Sequence, residues 1–301
     1  MIKVTVCTPT YNRAYTLPKL YESLKKQTNG DFEWLIVDDG SIDDTENLVN
    51  SWISGSDLME IRYIKKENGG KHTALNYGVA NARGKIFFIV DSDDYLKENA
   101  IDKIICDFKN LPNGKYAGLG YNKTFEDSGL VGKTFQGDYV DATSLQRAKY
   151  GISGDKAEVF FTDILRRYPF PVYKGERFLT EAIVWNRIAN DGYLIRWINQ
   201  AIYVCEYRED GLSMNASGLN NFKGYTQFIK ELLHYNQIWG VEKIKWLGVY
   251  GSIAAEKGLK VKEVAELINT NACLLIMAKI LYKIKRRIVT ISRREKFNVK
   301  R

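Results

Sequence analysis

The sequence predicts an α/β fold, a mostly parallel sheet with helices on both faces, followed by a helical C-terminal extension. Three observations carry that expectation. Short apolar runs alternate with helical patterns through the first hundred residues, polar acid-rich stretches follow the runs directly, and past residue 220 the pattern is helical throughout.

Taken in order, residues 2–7, 32–37, 60–64 and 86–90 read as strands, and residues 17–27, 45–52 and 72–82 as the helices between them. Strand–helix–strand units at this spacing imply parallel pairing, because a parallel neighbour needs a crossover connection. Residues 110–215 mix shorter strands with Gly, Pro and Asn turns and hold one good helical segment, 178–190. Amphipathic stretches then run over 222–237, 241–256 and 261–291. Asn, Ser and Gly cluster at 214–221, which divides the chain into a domain over 1–215 and a helical extension over 216–301.

At 301 residues the chain can bury a sizeable core, and 45% hydrophobic with 27% charged residues excludes a disordered, collagenous or membrane-bundle composition. The charge is unevenly spread. Of the formal +8, residues 279–301 supply ten Lys or Arg against the single acid Glu295, so the rest of the chain is close to neutral. A basic tail on a neutral body suits an anionic surface or a solvated helix face more than a basic active site. Cys7, Cys106, Cys205 and Cys273 are scattered without a CxxC pair, which argues against zinc or a disulfide framework and suits a reducing compartment. With no secretory signal and no apolar run of about 18 residues, the expectation is a cytoplasmic protein.

In an open parallel sheet, ligands bind beyond the carboxyl ends of the strands. Thr8, Pro9, Thr10, Tyr11, Asn12 and Arg13 follow the first strand, Asp38 and Asp39 the second, and Asp91, Ser92, Asp93 and Asp94 the fourth. Crowded acids raise one another's pKa unless a cation compensates, so this set suggests a hard divalent metal, magnesium or manganese, shared with phosphate oxygens. A softer nitrogen or sulfur site is hard to build from His72 and His234 alone. The alternative for Asp94 is a helix cap. Asp38 or Asp39 could accept from a base N–H or a ribose hydroxyl, and Tyr11 offers a base an aromatic face. No GxGxxG follows the first strand, no P-loop occurs, and Tyr95 and Leu96 spoil an EF-hand, so dinucleotide, P-loop and calcium-loop readings fall.

Four blocks, VTVCTPTYNR (4–13), WLIVDDGSIDDT (34–45), ENGGKHTALNYGVANARG (67–84) and IFFIVDSDD (86–94), resemble the family 2 glycosyltransferases in order and spacing, and the likeness extends to about residue 213. That resemblance implies the GT-A fold, a Rossmann-like sheet, and an inverting transfer from a nucleotide-sugar, with a UDP-sugar as the implied donor. By it, Thr8, Pro9, Tyr11, Arg13 and Asp39 line the nucleotide, and Lys71 and Asn76 lie near it. Asp91 and Asp93 take the DxD roles at ribose and metal, with Asp93 the first choice for the metal among Asp91, Asp93 and Asp94. The family's base is an Asp in an E-D pair before a helix. Here the stretch reads GERFLTEAIVWN (175–186), a departure that makes Glu181 the expected general base and Glu176 the alternative. Arg208, in YREDGLS (207–213), resembles a loop residue that meets the donor phosphates in related enzymes.

Beyond residue 220 the resemblance gives no guidance. Leu274, Met277, Ala278, Leu281, Ile284, Ile288 and Ile291 recur at helical spacing beside Lys279, Lys283, Lys285, Arg286 and Arg287. Such a basic amphipathic stretch, within 261–301, suits peripheral contact with the inner face of the plasma membrane and a glycan or lipid-linked acceptor; packing on its own domain or on a second subunit is the competing expectation. Nucleic acid is disfavoured, because no aromatic stacking positions surround the basic run. Two other classes compete: a haloacid-dehalogenase-like phosphatase, whose aspartate motif resembles residues 86–93 but belongs on a first strand, and a catalytically inactive sugar-nucleotide-binding module.

Overall fold

The computed structural model describes residues 3–55, 59–127, 129–206, 218–238 and 240–284. Its contacts divide the chain into two units, Met1–Asn215 and Ala216–Arg301.

In the first unit, strands β1 (Val4–Thr10), β2 (Phe32–Asp38), β3 (Glu60–Lys65) and β4 (Ile86–Ile89) pair in parallel in the order β3-β2-β1-β4, linked by α1 (Leu17–Lys25), α2 (Thr45–Gly55) and α3 (Lys71–Asn81). The chain continues through β5 (Tyr95–Leu96), α4 (Ala100–Lys109), β6 (Tyr116–Phe125), β7 (Tyr139–Ala142), a 3-10 turn, β8 (Lys156–Phe161), α5 (Thr162–Leu165), α6 (Ala182–Asn190) and β9 (Leu194–Cys205). These strands complete a nine-stranded sheet in the order β3-β2-β1-β4-β8-β6-β9-β5, with β7 on β9. β8 runs antiparallel to both β4 and β6, so the second half of the sheet is mixed.

Helices cover both faces, as alternation of side chains along each strand requires. On one face Tyr21 of α1 stacks on Trp52 of α2 at 4.4 Å, and Trp52 on Trp34 of β2 at 5.7 Å. Trp34, fully buried, contributes about 1.5–3 kcal/mol, and Tyr21 and Trp52 pack partly buried against it. On the other face α3 lies so close to β1 that a Cβ on Gly78 would come within 2.4 Å of Cys7 Sγ, and Phe160 of β8 stacks on Trp185 of α6 at 4.3 Å. Gly78→Ala would force α3 away from the sheet.

The first strand is longer than its apolar run. Thr8, Pro9 and Thr10 continue the ladder with β2 as far as Asp38, whereas pairing with β4 ends at Cys7 and Ile89, apart from one further bond from Val90 N–H to Cys7 O at 3.0 Å. Cys7 turns its carbonyl toward β4, so Pro9, two residues on, presents its missing N–H where that ladder has already stopped, and the proline is tolerated in a central strand. There the strand order reverses and β1 and β4 part, which opens a crevice at the topological switch point.

The second unit contains α7 (Phe222–His234), α8 (Gly240–Glu256), α9 (Val261–Leu267) and α10 (Ala272–Ile284). The stretch expected to run unbroken over 261–291 bends by 107° between α9 and α10. Asn269 there takes φ 50, and Asn271 Oδ1 accepts the N–H of Cys273 at 2.8 Å, so one helix ends and another is capped. Residues 285–291 lie outside the described residues. α10 buries Leu275 and Ala278 against α8, where a Cβ on Gly248 would meet Ala278 O at 2.6 Å. Its other side exposes Leu274, Ile276, Met277, Ile280, Leu281 and Ile284.

Candidate functional site

The loops after β1 and β2 are tied into one wall of the crevice. Asn12, at φ 52, receives Ile42 N–H on Oδ1 at 2.9 Å and gives its own N–H to Ser41 Oγ at 2.8 Å. This turn leaves Tyr11 43% exposed and brings Arg13 against the Tyr15 hydroxyl. Thr8 and Pro9 are buried in the strand below, and Thr8 Oγ1 accepts the Trp34 indole N–H at 2.9 Å.

The two acids after β2 have different surroundings. Asp38 is fully buried and takes Ser41 N–H at 2.8 Å and the Tyr63 hydroxyl, so it braces the turn. Asp39 accepts Gly69 N–H at 2.9 Å, Gly70 N–H at 2.7 Å and the Lys66 ammonium at 2.5 Å. It thereby caps the start of α3 from outside the helix, and one acceptor position on Oδ2 is left for a ligand. Asn76 is likewise engaged: its amide exchanges bonds with the Phe170 backbone at 2.8 and 2.9 Å and pins α3 to that loop.

The far wall is the run after β4. Asp91 receives the Lys71 ammonium at 2.5 Å on Oδ1, and Lys123 Nζ stands 4.0 Å from Oδ2. Burial works to raise the Asp91 carboxyl, but Lys71 and Lys123 outweigh it and hold it below the usual aspartate range. Lys71 also pairs with Glu181 at 2.8 Å. Burial works against its charge, yet Asp91 and Glu181 hold it protonated well above the ordinary lysine range. Ser92 is buried beneath the run. Asp93 is only partly covered, and burial followed by the Asp91 charge pushes its carboxyl up. Asp94 is pushed up to about 6, by burial and then by Asp91. It is buried, and its Oδ1 takes Glu206 N–H at 3.0 Å, so of the three acids expected at a metal it points back into the fold.

Among the described residues no three His, Cys, Asp or Glu side chains form a metal cage of their own. Asp93 beside Asp91 still fits a magnesium-type ion, which takes one or two carboxylates and fills its other positions with phosphate oxygens and water.

The helix expected over 178–190 begins at Ala182, with Glu181 as its N-cap residue. The preceding stretch is drawn across the start of α3, where a Cβ on Gly70 would lie 2.0 Å from Arg177 O. Glu181 thus reaches Lys71, while Glu176 sits one turn earlier, its N–H on Tyr173 O at 3.0 Å. Arg208 lies outside the described residues.

The structure adds residues that the sequence did not single out. Lys123 lies over the Tyr203 ring at 4.1 Å, and the Tyr203 hydroxyl accepts Asp91 N–H at 2.9 Å. Glu158, partly buried on β8, is pushed up to about 7, chiefly by burial and despite Arg147 at 3.6 Å. Thr10 Oγ1 and Asn68 Oδ1 are buried without a hydrogen-bond partner, one at the end of β1 and the other in the loop before α3. A lysine inside a buried strand with no other charge, YAGLGYNKTF, was the signal available for Lys123.

Comparison with known proteins agrees with this architecture. Residues 5–129 match the family model described as Glycosyl transferase family 2. A Campylobacter jejuni protein, GalNAc(5)-diNAcBac-PP-undecaprenol beta-1,3-glucosyltransferase, is 27% identical over 243 residues, 77% of this chain and 74% of its own length. An uncharacterized glycosyltransferase of Rickettsia felis is 36% identical over 135 residues, 45% of this chain, which spans only 22% of that longer protein. The crystal structure of S. aureus TarS 1–349 in complex with UDP-GlcNAc superposes with a TM-score of 0.63 at 20% identity, covering 84% of this chain and 73% of that one. The fold is GT-A.

Proposed function

This chain belongs to glycosyl transferase family 2 through residues 5–129, and from that premise we propose that it moves a sugar from a UDP-sugar to an acceptor hydroxyl, with inversion, in a single displacement. The observation that carries the reading is the crevice between β1 and β4, one wall of which holds Asp91 between two lysines with Asp93 beside it.

In this reading the uridine lies along Thr8, Pro9, Tyr11, Arg13 and Asp39. Thr10 Oγ1 and Asn68 Oδ1, buried and unpartnered, are available to its polar edge. Asp93, with Asp91 beside it, would hold Mn2+ or Mg2+. When bound, the ion supplies Lewis-acid neutralisation of the charge that grows on the departing UDP. Lys123 adds fixed positive charge beside Asp91 on the same side. Glu181 takes the proton from the acceptor hydroxyl as the sugar–phosphate bond breaks.

The acceptor is a glycan or lipid-linked hydroxyl at the inner face of a membrane. Support comes from the Campylobacter relative, whose name specifies an undecaprenol-linked substrate, and from α10. That helix is packed on one side and apolar on the other, with Lys283 beside its exposed residues and a basic sequence after it. Flotation with vesicles containing anionic lipid should carry the protein with them, and Leu281→Glu should release it; indifference to both lipid charge and that substitution would leave α10 as a protein-facing surface.

Calorimetric titration with UDP and GDP, each with and without Mn2+, followed by UDP release from a panel of UDP-sugars, tests the donor reading. Manganese-dependent binding of UDP and turnover of one sugar are expected. Absence of nucleotide binding under every condition would reject the transferase and leave a scaffold.

A further inference from the structure

The two halves of the proposed reaction meet at Lys71. Its Nζ lies 2.5 Å from Asp91 Oδ1, on the donor wall, and 2.8 Å from Glu181 Oε1, at the start of α6. An ammonium has three N–H donors, so both pairs can form together with one donor left toward the crevice. Asp91 has a second cation in Lys123, whereas among the described residues Glu181 is ion-paired to Lys71 alone. The backbone on either side of the bridge is fixed by packing. Gly70, directly before Lys71, lies against the Arg177 backbone so tightly that any Cβ would collide with it, and Asp39 holds Gly69 and Gly70 by their N–H groups. Backbone packing therefore sets the start of α3 and the approach to α6 side by side.

We propose that Lys71 is a positioning residue, which fixes the proton acceptor Glu181 against the donor-side carboxylate Asp91 and so keeps the acceptor hydroxyl in register with the sugar–phosphate bond. The proposal rests on the reading of Glu181 as general base. Proton transfer needs the two heavy atoms at hydrogen-bond distance, and a carboxylate at a helix start, 30% exposed, could otherwise turn among rotamers. A misplacement of about 1 Å at such a group costs on the order of 10²-fold in rate.

The test is a double-mutant cycle read as Mn2+-dependent UDP release, at saturating donor, from the UDP-sugar that the panel shows to be turned over, with water standing in for the acceptor hydroxyl. Glu181→Gln should lower kcat by about 10²-fold or more. Lys71→Met should lower kcat by about 10- to 100-fold in the wild-type background but by less than about threefold when Glu181 is already Gln, because the group it positions is gone. Lys71→Arg should restore most of the rate, and any change in donor KM that arises through Asp91 should be the same in both backgrounds. Equal kcat losses from Lys71→Met in the two backgrounds would overturn the positioning role while leaving the base reading intact. A Glu181→Gln enzyme with undiminished kcat would remove both. Melting temperatures check that each variant folds. Carbodiimide treatment of the wild-type chain gives a readout that needs no turnover: mass spectrometry should find a Lys71–Glu181 isopeptide, and finding only the Lys71–Asp91 link would refute the bridge.

Discussion

Carboxylates are buried at both ends of the sheet, and the protein treats them in opposite ways. Near the start of β2, Glu33 is fully enclosed, yet Thr5 Oγ1 at 2.6 Å, the Arg62 guanidinium at 2.7 Å and Arg83 N–H at 2.7 Å all donate to it. Burial works to raise this carboxyl, but those bonds outweigh it and hold it below its ordinary 4.5. After β4, two of the three acids are pushed up because burial and a neighbouring acid act together. A fold that can satisfy Glu33 so fully could satisfy Asp93 too. Leaving its carboxyl raised makes sense where a ligand supplies a cation.

The comparison can be broken in four ways. Asp93→Asn should cost about 10²–10³-fold in UDP release, with folding intact. Retained turnover with manganese-dependent UDP binding would make the crowding a packing matter only. Glu33→Gln should leave UDP affinity unchanged but lower stability by about 2 kcal/mol at neutral pH in urea denaturation, since it uncouples a buried pair. Because the Glu33 carboxyl is held low, the folded chain binds fewer protons there than the unfolded chain. Its contribution is present above pH 4.5 and drains as pH falls through the folded value, so the variant should flatten the acid limb of melting temperature against pH.

Glu158 offers the opposite sign. Raised to about 7, it binds protons better folded than unfolded, so its penalty is absent below pH 4.5 and grows as pH rises toward 7. Glu158→Gln should gain about 1–2 kcal/mol at pH 8 and nothing at pH 4; a gain of the same size at both would mean that packing, not charge, is responsible. The smallest effect belongs to Asn76→Ala, which should lose about 1 kcal/mol of stability with donor KM unchanged. A large KM increase at unchanged stability would return Asn76 to the ligand.

Much of this was legible before any coordinates. The apolar runs at 32–37 and 60–64 fell within one residue of β2 and β3, because alternation and burial leave a local imprint on composition. Lys71, Asp91 and Glu181 each stood out in their own block, and the structure brings the three together. Elsewhere the local signal fell short. Asp38 and Asp39 are adjacent and chemically identical, yet one braces a turn against Tyr63 and the other caps α3. The helical spacing from 261 onward corresponds to helices as far as 284, but it did not reveal the bend at Asn269.

By itself the sequence determined which segments form strands and helices, and which side chains follow each strand, since both depend on near neighbours along the chain. Only the tertiary structure decided what each charge meets. Lys123 and Tyr203 reach Asp91 because β8, β6 and β9 come after β4 in the sheet, an order that no local periodicity encodes. An ion pair forms between whatever charges the fold brings within a few ångströms and shields from water, and that proximity is a property of strand order and packing rather than of spacing along the chain.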